Sequence, residues 1–255
     1  MKKLFLVLVI MGLIVVLFAG CDSITPGEGE GEGEGEGEGE PEIVDRVVIV
    51  ELFMSMGCSS CEQIEPILEQ LAEEYDRSQM ILVEEAAWGL HSIPEISNRY
   101  KWYFPSSSDR STHNTLFNGL NHRLHQSGNY STVKSYIEIE LNKEAKIAID
   151  ADRSSDANTT TIAGTIKNIS SSTLQNLVIN GMVFRDRGET GLRYSVTDIF
   201  AEQEVEVSTL DPGSSYNFSF TLEGFNWDAN NVHGVIFVQA PDSSRKEILQ
   251  ALYIK

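Results

Sequence analysis

The chain has 255 residues, with 38 acidic against 19 basic side chains and a formal net charge of −19 at neutral pH. That excess of acid, with no cluster of Lys and Arg, excludes nucleic acid as a partner, because phosphate binding needs concentrated positive charge. Residues 1–42 hold Lys2, Lys3, Asp22 and eight glutamates, a balance of −7, so −12 belongs to the remaining 213, a length comfortable for two domains.

At the N-terminus Lys2 and Lys3 precede sixteen uncharged residues, Leu4 to Ala19, broken only by Gly12. A charged start followed by a short apolar stretch is the pattern of an export signal, and a spanning helix needs about 20 apolar residues. The stretch ends in Leu17-Phe18-Ala19-Gly20-Cys21. This ending resembles the bacterial lipobox, with Phe18 where the motif usually has Leu. The resemblance implies that Cys21 is lipidated as the first residue of the mature protein. An uncleaved anchor helix is the alternative, and either reading exports the rest of the chain and tethers it to a membrane. Seven Gly-Glu repeats follow, Gly27 to Glu40, bracketed by Pro26 and Pro41. They offer nothing to bury and their carboxylates repel, so residues 21–42 read as an extended tether, with a root-mean-square reach of about 25 Å.

With Cys21 assigned to lipid, two of the three cysteines remain, as Cys58-Ser59-Ser60-Cys61. One C-x-x-C in an exported chain reads as a redox or metal pair rather than a disulfide scaffold. Arg46 to Phe53, RVVIVELF, has the apolar, β-branched character of a buried parallel strand. From Cys61 to Tyr75 the apolar residues Ile64, Ile67, Leu68 and Leu71 recur with helical spacing. The pair therefore lies where a strand gives way to a helix. Amides at a helix start stabilise a thiolate, which makes Cys58 the attacking nucleophile and Cys61 the resolving thiol.

Strand, C-x-x-C and helix, with Pro66 five residues after the second cysteine, resemble the thioredoxin superfamily. That resemblance implies an α/β thioredoxin-like domain over residues 43–145, acting on protein thiols or disulfides, with a buried acid on the strand before the motif; Glu51 is the candidate. It lies seven residues ahead of Cys58, one more than is usual, and the other reading is an edge carboxylate facing solvent. Gly57 stands where the family has Trp, and Ser-Ser replaces Gly-Pro inside the motif. Where the family places a cis-proline against the cysteines, this chain reads Ser-Thr-His-Asn-Thr over residues 111–115. His113, Asn114 and Thr115 are then the candidate substrate groove, with a trans backbone, since a non-proline cis bond costs about 3 kcal/mol.

Further along, Met80 to Val83 reads as a strand before the acidic pair Glu84-Glu85, Ile93 to Phe104 as an aromatic-rich helix, and Thr115 to Phe117 as a strand before an Asn118-Gly119 turn. Ser131 or Thr132 is the expected cap of a helix to about Ala145. Trp88, Trp102 and Tyr103 are groove or core aromatics. His122 and His125 could join Cys58 and Cys61 around zinc, but H-x₂-H is tighter than the usual spacing, and no metal is assigned. No phosphate loop, nucleophile elbow or cofactor motif is present, so no cofactor is expected.

After residue 145 the pattern turns to β. Strand-like segments recur at 146–151, 160–167, 174–184, 205–207, 216–222, 232–238 and 248–254, with clear alternation in Phe218, Phe220 and Leu222. Seven short strands over residues 146–255 point to an immunoglobulin-like β-sandwich domain. Together with the lipobox, the arrangement resembles a group of thioredoxin-fold lipoproteins of the bacterial outer membrane. That implies a lipid-anchored protein of the cell envelope, on the periplasmic face or in the outer membrane. Two functions stay open: a tethered thiol-disulfide oxidoreductase, or a binding or structural lipoprotein with a static Cys58-Cys61 disulfide.

Overall fold

The computed structural model describes residues 43–110, 113–126, 128–156, 158–187, 192–223, 227 and 232–255. The export signal, Cys21, the Gly-Glu tether and Ser111-Thr112 lie outside the described residues. Residues 41–255 form one compact unit.

Its first half runs β1 (Val48–Ser55), α1 (Cys61–Glu74), β2 (Met80–Trp88), α2 (Pro94–Tyr103), β3 (Asn114–Phe117), β4 (His122–His125) and α3 (Tyr130–Leu141). β1 pairs parallel with β2 and antiparallel with β3, and β3 pairs antiparallel with β4. β1 is apolar almost throughout because it is buried on both faces, as the sequence pattern requires. β2 is longer than expected: Glu84, Glu85, Ala86 and Ala87 belong to the strand and are buried. Asn129, not Ser131 or Thr132, caps α3, its side chain accepting from the Thr132 amide at 3.0 Å. β4, whose HRLH sequence carries only one apolar residue, was not expected.

The second half is all strand: β5 (Ile147–Ser155), β6 (Thr159–Asn168), β7 (Leu174–Asp186), β8 (Tyr194–Ile199), β9 (Val205–Leu210), β10 (Ser215–Glu223), β11 (Val232–Gln239) and β12 (Ile248–Ile254). β10, β6 and β5 form a separate three-stranded sheet. The other five join the first half in one sheet of order β12-β11-β7-β8-β2-β1-β3-β4, with β9 on β7. Residue 145 lies between α3 and β5, and the strands on either side of it share this sheet within one compact unit. The junction is β8, the one of these eight strands absent from the seven read in sequence, set parallel to β2 with Ser195 opposite Glu84.

Two apolar cores meet across β7 and β11, and the period-two alternation of these strands divides their residues between them. Met182, Phe184, Val235 and Phe237 face the core shared with α1 and α2, while Ile179, Val183, Ile236 and Val238 face Ile162, Ile166, Phe218 and Phe220 of the small sheet.

Polar contacts also tie the halves. Arg46, buried ahead of β1, donates to the carbonyls of Leu249 and Ile248 at 2.9 and 3.0 Å and to Glu247 at 2.9 Å, and pairs with Glu140 of α3 at 3.4 Å. Asn118 and Gly119 both take positive φ, 48° and 73°, in the β3–β4 turn. The Asn118 side chain accepts from the Ile49 amide at 2.9 Å, and its carbonyl from the Ile248 amide at 3.2 Å. A Cβ on Gly119 would sit 2.2 Å from the Lys246 carbonyl oxygen. Gly119→Ala is therefore expected to cost about 2 kcal/mol or more, from a left-handed φ plus a backbone clash, read as a lower urea midpoint at unchanged slope.

Candidate functional site

β1 ends at Ser55, and Gly57, at φ 75°, turns the chain toward α1. A side chain at this φ is strained, so the Trp found here in thioredoxins would not fit this turn. Cys58 and Cys61 form a disulfide with a Cα separation of 5.2 Å. Cys61 rather than Cys58 is the first helical residue, and its amide donates to Cys58 Sγ at 3.2 Å, with Ser60 Oγ also 3.2 Å from that sulfur. Donors at this sulfur favour its thiolate once the bond is reduced. Cys58 is 9 % exposed and Cys61 1 %. Both line a cavity of about 300 Å³, walled by Met54, Met56, Glu62, Glu65 and Pro66. Pro66 lies inside α1, where it removes an internal hydrogen bond.

Pairing register assigns each nearby side chain to a face of the sheet. Phe53 lies opposite Glu85 and Asn114, and Leu52 opposite Glu84 and Thr115. Phe53, Glu85, Asn114 and, two residues earlier, Glu51 thus share the face covered by α2. Leu52, Glu84 and Thr115 share the face covered by α1.

Glu51 is fully buried, not a solvent-facing edge residue. Its Oε1 accepts from Arg99 Nε at 2.6 Å and its Oε2 from the Tyr103 hydroxyl at 2.9 Å, both on α2. The sheet separates it from the helix carrying Cys61, so the structure does not bring it to the cysteines as the expected acid. The extra residue between Glu51 and Cys58 is the reason, since a shift of one residue along a strand turns a side chain to the other face. Carboxyls on the cysteine side include Glu65 of α1, which walls the cavity, and Glu84 of β2, neither of which the sequence reading gave a role. Glu65 and Cys61, four residues apart on one helix, could have signalled this.

His113, Asn114 and Thr115 are all buried, and no peptide among the described residues is cis. Asn114 is taken up internally, donating to the Tyr100 hydroxyl and accepting from Arg123 Nε at 2.6 Å. His113 has no partner for either ring nitrogen, and the Thr115 hydroxyl has none. Burial, with His125 adding to it, pushes the His113 pKa down to about 4. The proposed zinc ligands do not converge. His122 stacks on Tyr136 and lies 3.4 Å from Glu140, His125 bonds Asn114 at 3.0 Å from the other face of β4, and the cysteine sulfurs are bonded to each other. Of the aromatics, Tyr103 is buried beside Glu51, and Trp102 packs at a tilt against Tyr103 under Lys246. Trp88, opposite Ser55 at the ends of β1 and β2, stays exposed, as do Met56 and Leu90. An apolar rim thus stands at the end of the sheet from which the disulfide emerges.

Glu85, fully buried beside Glu51, is held well above the usual carboxylate range by desolvation and then by the Glu51 charge. A raised folded-state pKa contributes stability below pH 4.5 that is lost as pH rises toward it, so Glu85→Gln should raise Tm more at pH 8 than at pH 4. The depressed His113 has the opposite sign: its contribution is present above pH 6.5 and lost as pH falls toward 4, by up to about 3 kcal/mol. His113→Leu should flatten the stability profile over that window, measured by urea unfolding at pH 7.5 and 4.5.

No family model and no curated protein matches the sequence. Among solved structures, HBP35 of Porphyromonas gingivalis superposes with a TM-score of 0.66 at 12% identity, over 82% of this chain and 75% of that one. A protein of Agrobacterium tumefaciens gives 0.55 at 15% identity, over 83% and 94%. A domain of the outer membrane lipoprotein Omp28 from Porphyromonas gingivalis, at 19% identity over 44% of this chain and 88% of its own, reaches only 0.32, too loose to carry weight. The chain shares its fold with the first two along about four-fifths of its length.

Proposed function

We propose that this chain is a thiol-disulfide exchange protein of the bacterial envelope, held to a membrane through lipid on Cys21 and working through Cys58 and Cys61. The observation that carries the reading is the disulfide itself, set at a strand-to-helix junction with a backbone amide on the more exposed sulfur and a cavity beside it. The order β2-β1-β3-β4, with α1 and α3 on one face and α2 on the other, is what a thioredoxin-like domain requires. β10-β6-β5 stacked on β7 and β11 supports the immunoglobulin-like sandwich. No described helix is long and apolar enough to cross a membrane.

From the oxidised state, a substrate thiolate attacks Cys58 Sγ and the Cys61 sulfur leaves as thiolate. A second substrate thiol, deprotonated, then attacks the substrate sulfur of the mixed disulfide and expels Cys58. Two electrons pass from the substrate dithiol to the pair, and the reverse sequence reduces a substrate disulfide. Met56, exposed in the wall of the cavity, would give an unfolded or extended substrate an apolar footing beside the sulfur. The second reading, a static disulfide, is favoured by the low exposure of Cys58 and by His113 in place of the proline.

The test is the reduction potential of the pair in the full-length chain in detergent, with the Cys58 pKa measured in Cys61→Ser. Exchange activity predicts a pKa well below the ~8.5 of free cysteine and a potential above about −270 mV. An unshifted thiol, or a disulfide resisting reduction below about −300 mV, establishes the static reading instead.

A further inference from the structure

On the α1 side of the sheet three carboxyls converge: Glu65 and Glu69 of α1 and Glu84 of β2 each offer an oxygen within 4.8 Å of the others. Two neighbouring carboxyls on a helix are ordinary. Glu84 is the separate observation: it comes from a different element, is completely buried, and its Oε1 has no partner. Glu69 Oε1 is likewise buried and unpartnered, and so is the hydroxyl of Ser195, which stands opposite Glu84 on β8 and on the same sheet face.

Two further oxygens of the cluster are held by the backbone. The Leu192 amide donates to Glu65 Oε1 at 2.5 Å and the Tyr194 amide to Glu84 Oε2 at 2.7 Å. Burial, the largest effect, and the neighbouring Glu65 charge push the Glu84 pKa well above the usual carboxylate range, while the Tyr194 amide favours its ionised form. The cation that acts on both Glu69 and Glu84 is Arg193, and it is committed to Glu73 at 2.5 Å and Asp186 at 3.4 Å. Five acids around one arginine leave a surplus of negative charge at a buried point.

We propose that Glu65, Glu69 and Glu84 bind a calcium ion, with the Ser195 hydroxyl as a further oxygen donor. The donor set is oxygen throughout, which suits a hard cation and not zinc or copper. Donors around Ca²⁺, at 2.3–2.6 Å each, stand up to roughly 5 Å apart, a separation these oxygens do not exceed. The ion would clamp α1 to β2 and, through Leu192 and Tyr194, to β8, the strand that joins the two halves. Glu65 also walls the disulfide cavity, but the proposal stands whether or not the disulfide is catalytic.

The test uses the full-length chain in detergent, stripped with EDTA and titrated with CaCl₂, reading Tm and calorimetric stoichiometry. One saturable site is expected, with Kd on the order of 10⁻⁴ to 10⁻³ M, as in extracellular modules. Glu69→Gln and Glu84→Gln should weaken it about tenfold or more and abolish the calcium-dependent rise in Tm, a tenfold loss being 1.4 kcal/mol. Glu73→Gln, on the same helix but outside the three, should keep both. Comparing variants removes the contribution of the tether glutamates. If Glu84→Gln does not fold, Glu69→Gln, at the rim of the cluster, decides alone. The proposal is overturned if no site saturates by 10 mM calcium, if calcium shifts wild type and variants equally, or if Glu84→Gln gains stability with no calcium dependence in the wild type.

Discussion

The ion pair between Glu51 and Arg99 constrains the rest of the molecule. A carboxylate on the central strand, buried on both faces, cannot stay charged without a cation, and losing one partner of such a pair costs on the order of 3–5 kcal/mol. Arg99 meets Glu51 at 2.6 Å, Tyr103 joins both, and Gln239 at the end of β11 donates to the Tyr103 hydroxyl at 2.8 Å and lies 3.3 Å from Arg99 Nη1. α2 is thereby fixed in rotation over the sheet, and the C-terminal half is tied to the N-terminal one. Glu85, with no second cation to serve it, is driven toward its neutral form.

This arrangement sorts the chemistry by face. The α2 side carries the stacked pair Phe53 and Tyr100, Tyr103 edge-on to Phe53, and the ion pair, a closed structural network. The α1 side carries the disulfide, its cavity and the buried carboxyls Glu65, Glu69 and Glu84. Because adjacent strand residues alternate, Glu84 and Glu85 are neighbours in sequence and occupy opposite environments, one held by the Tyr194 amide and the other beside Glu51.

Continuity of the large sheet has a similar logic. β7 and β11 are buried on both faces and serve two cores at once, so neither half of the chain could keep its core closed without the other. Arg46, Asn118 and Gly119 reinforce the junction at sites where the backbone itself is the partner, which leaves little freedom for separate motion of the halves.

Much of this was legible in sequence because it depends on local periodicity. The apolar run of β1, the helical stripe of α1, the alternation in β10 and the Asn118-Gly119 turn each declare themselves within a dozen residues. Placement of the cysteines at a strand-to-helix junction followed from them. What sequence could not convey was pairing: β4 and β8 are short, and their partners lie elsewhere in the chain. Glu51 shows the limit most clearly. Its spacing from Cys58 already carried the one-residue shift that turns it away, but only the register of β1 against β2 and β3 tells which face holds the cysteines. The sequence by itself determined the elements and the position of the disulfide, since those follow from the preferences of neighbouring residues. Tertiary structure decided which acids stand near it, because burial and charge compensation depend on residues brought together across more than a hundred positions.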